Sequence, residues 1–110
     1  MMKLFQSEKE LEKAIGDVRG RMLLAFVATW CRPCRLMAPT VEKIEQETEN
    51  LRVFVIDTDA MEDFCESFSI TGTPTYILFE DGRERGRIVG YHDEDTFRRK
   101  LQELTEAETK

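Results

Sequence analysis

Apolar positions change their spacing along this chain, and each change marks an element. From Ser7 to about Ile15, Leu11, Ala14 and Ile15 recur at helical spacing, and Ser7 with Glu10 fits a capping box. Gly16 and Gly20 punctuate the segment after this helix. Leu23-Leu24-Ala25-Phe26-Val27-Ala28 is an unbroken apolar run, as expected of a strand covered on both faces. Roughly Cys34 to Glu49 predicts a long helix with Met37, Val41, Ile44 and Thr48 on one stripe. Pro39 lies inside it and predicts a kink, because it removes a backbone donor and crowds the preceding turn. Val53-Phe54-Val55-Ile56 predicts a second buried strand.

Asp59 and Glu62 predict the start of a short helix whose Met61, Phe64, Cys65 and Phe68 face inward. Thr75–Phe79 and Arg85–Val89 flank Asp81-Gly82, a strong hairpin signal. Asp93 predicts the cap of a last amphipathic helix through Phe97, Leu101 and Leu104. The order implies one α/β domain over residues 1–110, about 106–110 being a polar tail. Parallel strands come first and an antiparallel hairpin comes after them, with helices on both faces.

Composition narrows the chemistry. The formal charge of −6 leaves no basic surplus for phosphates, which argues against nucleic acid. No apolar run is long enough to span a bilayer. The opening residues turn polar too soon for a signal peptide, which predicts a cytoplasmic protein whose thiols are kept reduced. A monomer is the expected state. Three cysteines cannot form a disulfide framework, since one is left over whatever pairs. A close pair in a reducing compartment points to catalysis or metal binding.

The close pair lies in Trp30-Cys31-Arg32-Pro33-Cys34, after an apolar strand and at a helix start. Two cysteines separated by two residues there can close a disulfide within one turn. Unpaired N–H groups and the positive end of the helix favour thiolate at Cys31, the expected nucleophile. Cys34, one turn in, is expected to be more buried and to act second. Pro33 suits the first turn, where its missing N–H costs nothing. Trp30 is expected to shield the pair and to offer partners an apolar contact.

These residues resemble the thioredoxin family, and the resemblance covers almost the whole chain. It is carried by Phe26, Ala28, Trp30-Cys31 with Pro33-Cys34, Pro39, Asp57, Gly72-Thr73-Pro74-Thr75, Phe79, Asp81-Gly82 and Gly90. It implies a thioredoxin fold, a mixed five-stranded sheet with four helices, and a cis bond between Thr73 and Pro74. It implies a docking groove walled by Thr73 and Pro74, by Trp30, and by Val89-Gly90-Tyr91, on which a client segment adds as a short strand. It also implies clients that carry disulfides, a thioredoxin-reductase-like electron donor, and no bound cofactor beyond the Cys31–Cys34 disulfide.

Departures from the family pattern carry expectations of their own. Ala25 stands where relatives carry a buried aspartate beneath the cysteines, and Val53 where they carry a buried lysine. Joint loss is coherent, since removing one partner alone strands a buried charge at a cost of roughly 3–5 kcal/mol. Cys34 is then expected to deprotonate more slowly. Arg32 replaces a glycine, and Arg35 comes directly after the second cysteine. A cation beside Cys31 favours its thiolate, and ~1.4 kcal/mol of such stabilisation makes the couple about 30 mV more oxidising. A tolerated surface arginine is the plainer reading, and Arg32 also suits acidic partners. Val27 replaces an aromatic and predicts altered packing around Trp30.

Cys65 reads as a buried, inert thiol. His92 reads as a solvated loop histidine, and Asp57, Asp59, Glu62 and Asp63 as capping and solvated carboxylates. Zinc needs two further thiol or imidazole ligands, and only Cys65 and His92 remain, neither at zinc-ligand spacing. The reading is therefore a protein-disulfide reductase, with no metal. The same cysteines serve an oxidant or isomerase, with Arg32, Pro33 and Pro74 tuning the couple. A binding module with redox as a switch is the alternative from another class.

Overall fold

The computed structural model describes residues 3–106. Its five strands are β1 (Lys3–Phe5), β2 (Arg21–Val27), β3 (Leu51–Asp57), β4 (Thr75–Glu80) and β5 (Arg83–Val89). They form one sheet in the order β1-β3-β2-β4-β5. β1 and β2 run parallel to β3, while β4 is antiparallel to both β2 and β5. The four helices are α1 (Glu8–Gly16), α2 (Arg32–Glu47), α3 (Glu62–Ser67) and α4 (Glu94–Glu106). This is the mixed five-stranded sheet with four helices that the family resemblance implies.

Strand alternation splits the core in two. Met22, Leu24 and Phe26 of β2 join Leu11 of α1 and Phe64 and Cys65 of α3 on one face. Leu23 and Ala25 face the other way, onto Met37, Val41 and Ile44 of α2 and Phe97 of α4. Burial on both faces is why β2 is continuously apolar.

Local signals placed most boundaries. Ser7 caps α1 by accepting from the Glu10 N–H at 3.4 Å, and Asp93 caps α4 by accepting from the Thr96 N–H at 2.9 Å. Those Thr96 hydrogen bonds hold the Asp93 carboxyl below its usual range. Asp81 and Gly82 both have positive φ, 51° and 84°, the primed turn that matches strand twist.

Four expectations are corrected. The apolar pattern marks no strand before Ser7, yet β1 pairs Leu4 with Val55 on the sheet edge. Three residues are too few to show a period. α2 begins at Arg32 rather than Cys34, because Cys31 itself is the cap residue. α3 is not opened by Asp59: its cap residue is Met61, which makes no side-chain cap bond. Glu106 closes α4 instead of starting the tail, and residues 107–110 lie outside the described residues.

Candidate active site

The C-terminal end of β2, a short loop and the start of α2 set the cysteines in place. Cys31 has extended backbone, and its Sγ accepts the Cys34 N–H at 3.3 Å. Arg35 N–H closes the first full turn on the Cys31 carbonyl at 3.2 Å. Cys31 and Cys34 are joined as a disulfide with Cα atoms 5.3 Å apart, within the usual disulfide span.

The loop before β4 covers the pair. Its Thr73–Pro74 bond is cis, and the Thr73 carbonyl oxygen lies 3.7 Å from Cys31 Sγ. Thr75 Oγ1 donates to the Gly72 carbonyl at 2.7 Å, and Gly90 N–H donates to the Pro74 carbonyl at 2.8 Å. That last bond ties the end of β5 to the proline loop. Thr73, Val89, Gly90 and Tyr91 are thus gathered above the disulfide, with Val89 and Tyr91 exposed. Pro74 is not a surface wall, because it is fully buried. Thr73 before it is half-buried and reaches the surface in its place.

Exposure does not separate the cysteines as expected. Cys31 is 4 % and Cys34 6 % exposed, the first sulfur lying under the Thr73 carbonyl. What distinguishes them is the N–H directed at Cys31 Sγ.

Trp30 is 71 % exposed, so it does not seal the pair. Its indole Nε1–H donates to Asp59 Oδ2 at 2.9 Å. Asp59 is therefore a positioning residue for Trp30, which the capping reading missed. No local signal marks it, because the two residues meet only when β3 lies beside β2. Asp57 is buried rather than solvated, accepting from Gln6 Nε2 and from the Asp59 N–H, each at 3.0 Å. His92 is half-buried, its Nε2 3.0 Å from the Val89 carbonyl, so it braces the groove loop.

Behind Cys34 lies a cavity of about 180 Å³ lined by Ala25, Val27, Val41, Val55 and Tyr76 among others, with no carboxylate. Ala25 sits between Val55 on β3 and Tyr76 on β4. Val53 pairs with Leu23 and does not line this cavity, so the neighbour of Ala25 is Val55. The sequence reading had the correct face of the strand but the wrong rung.

Cys65 is buried on the opposite face, and burial with nearby Asp57 pushes its thiol up to about 11. At pH 8 only about one part in a thousand would be thiolate. Iodoacetamide is accordingly expected to label Cys31 in the folded, reduced protein and to reach Cys65 only after denaturation. Rapid native labelling of Cys65, read by mass spectrometry, would overturn the buried-thiol assignment. Among the described residues, no three His, Cys, Asp or Glu are placed to hold a metal ion. Nor is any helix of these residues long and apolar enough to cross a membrane.

A CxxC disulfide at a helix start, roofed by a cis-proline loop at the end of the central strand of a mixed sheet, defines an enzyme of thiol–disulfide exchange. The family model for thioredoxin matches residues 2–103, and the chain belongs to the thioredoxin family. It is 36% identical over 77 residues to the thioredoxin of Chlamydia trachomatis, covering 70% of this chain and 76% of that one. Likeness to the thioredoxin of Chlamydia pneumoniae is 34% over 95 residues, 86% of this chain and 90% of the other. The X-ray structure of Fasciola hepatica thioredoxin superposes with a TM-score of 0.82 at 31% identity, covering 94% and 99% of the two chains.

Proposed function

We propose that this protein reduces disulfides of client proteins, with Cys31 as nucleophile and Cys34 as resolving cysteine. The observation that carries the reading is the Cys34 N–H directed at Cys31 Sγ, which favours negative charge on that sulfur. Cys31 thiolate attacks one sulfur of a client disulfide. The client S–S bond breaks, and its second sulfur leaves as thiolate and takes a proton. Cys34 thiolate then attacks Cys31 Sγ, closing the internal disulfide and releasing the other client sulfur. Two electrons and two protons pass to the client, and a dithiol or flavoprotein reductase returns them. No bound cofactor enters this cycle.

A client segment would run along Thr73, Val89, Gly90 and Tyr91 with Trp30 at its flank. Pro74 holds Thr73 in place, and Pro33 pre-sets the helix start. A reducing compartment such as the cytoplasm suits this direction. Arg32 favours the opposite one, because a cation near Cys31 stabilises the reduced protein.

Titration of the Cys31/Cys34 couple against thiol–disulfide buffers, with thiol trapping, tests the direction. A potential near about −270 mV is expected. A value near about −180 mV or above would make the protein an oxidant or isomerase. A shift toward the reducing end in Arg32→Gly would assign part of the poise to that arginine, and equal potentials would mark it as inert.

A further inference from the structure

The charge of this chain is unevenly placed. It carries 22 acidic residues against 16 lysines and arginines, yet residues 21–41, 67–79 and 85–92 contain no Asp or Glu. Those three segments supply β2 with the first half of α2, the proline loop with β4, and the end of β5 with its loop. They are the walls around the cysteines. Acidic residues stand on the Trp30 side: Asp59 is engaged by the indole, and Glu62 and Glu66 line a surface pocket with Trp30 and Thr73.

On the α2 side the rim is cationic. Arg32 and Arg35 are exposed in the first turn of α2, which has no acidic residue. Cations there oppose the helix dipole, so they do not serve the helix. Arg85, Arg87, Arg98 and Lys43 each meet a carboxylate elsewhere on the surface. Arg32 and Arg35 form no ion pair among the described residues, and Arg35 is steadied by donating to the Thr29 carbonyl at 3.1 Å. Leu36 is exposed one turn beyond Arg32, on the same side of the helix.

We infer that the groove selects client segments bearing a carboxylate close to the target cysteine, and that Arg32, seconded by Arg35, is the specificity-determining residue. The inference rests on the reductase reading above and names its substrate class. Arg32 adjoins Cys31 in sequence, so a client sulfur held at Cys31 brings its flanking residues to this rim. A carboxylate on the α2 side gains two cations that form no ion pair among the described residues, while Asp59, Glu62 and Glu66 stand on the Trp30 side. Leu36 receives an apolar neighbour in the same segment. A lysine at that client position meets repulsion instead. Because both arginines are exposed, salt screens the preference.

The test uses three cystine peptides that differ only in the residue flanking each cysteine, Glu, Gln or Lys, beside neutral 2-hydroxyethyl disulfide. The pre-reduced protein should reduce the Glu peptide about fivefold faster than the Lys peptide at low salt, in line with exposed charge pairs. The ratio should shrink at about 0.5 M salt. Arg32→Gln should bring it near one, Arg32→Lys should keep part of it, and Arg32→Glu should invert it. Comparing ratios removes any general effect of Arg32 on Cys31 reactivity. Equal Glu and Lys rates, with 2-hydroxyethyl disulfide still reduced, would overturn this inference alone. Failure to reduce even the neutral disulfide would overturn the reductase reading and this inference with it.

Discussion

Cys31→Ser is expected to abolish disulfide reduction, by at least about a thousandfold, whereas Cys34→Ser should stop the cycle after one step with the client attached. The asymmetry comes from the geometry. Cys31 Sγ accepts the Cys34 N–H and faces the loop of Thr73, beside exposed Trp30, Val89 and Tyr91. A serine there is a poor nucleophile at neutral pH, and Cys34 behind it has no comparable N–H. In Cys34→Ser the first exchange still forms the mixed disulfide, and nothing resolves it. Mass spectrometry of the protein mixed with a client disulfide should show a covalent adduct for Cys34→Ser and none for Cys31→Ser. Adducts on Cys34 in the Cys31→Ser protein would reverse the assigned roles. A Cys31→Ser protein that still fulfilled its cellular role would favour the binding-module reading.

The second large effect is expected from Ala25→Asp, which puts a carboxyl into the cavity behind Cys34, whose lining is apolar but for Thr29 and Arg35. Ala25 is buried, with Val55 and Tyr76 on its two sides. Burial penalises the ionised form, so the new group should titrate above the ordinary ~3.9 of an aspartate. A carboxyl whose pKa is higher folded than unfolded leaves stability intact below the unfolded value. Stability is then lost as pH rises through the folded value. Urea unfolding should accordingly show a variant close to its parent near pH 3.5 and about 3 kcal/mol weaker at pH 7.

The same carboxylate can take the proton of Cys34. Release of client from the mixed disulfide should quicken by about tenfold or more in single-turnover experiments at pH 7. Unchanged or slower release would mean that Cys34 deprotonation does not limit this protein. Adding Val55→Lys should recover part of the lost stability, because position 55 is the rung beside Ala25. Val53→Lys should not, since position 53 faces Leu23.

Much of this was legible residue by residue. The Ser7 and Asp93 caps, the Asp81-Gly82 turn and the doubly covered β2 each express a preference of a few neighbouring residues. The paired cysteines at a helix start were equally plain. β1 was not, because three residues carry no period, and its place depends on Phe5 meeting Phe54 at 5.5 Å. The apolar stripe put the α2 start roughly at Cys34, two residues late, although Pro33 in the first turn was legible. What the stripe lacked was the cysteine acting as cap. Its role rests on a sulfur accepting the N–H three residues on, and sequence spacing does not display that bond.

Sequence by itself therefore determined the kind of elements, their order and the pair that carries the chemistry, since propensity, capping and turn geometry act over a few residues. Tertiary structure decided which distant residues meet. The Thr73 carbonyl comes to Cys31 across 42 residues, and Asp59 comes to Trp30 across 29. Val55 rather than Val53 stands beside Ala25. Such meetings depend on strand order and register, which are set by burial of the whole sheet between its two helical layers.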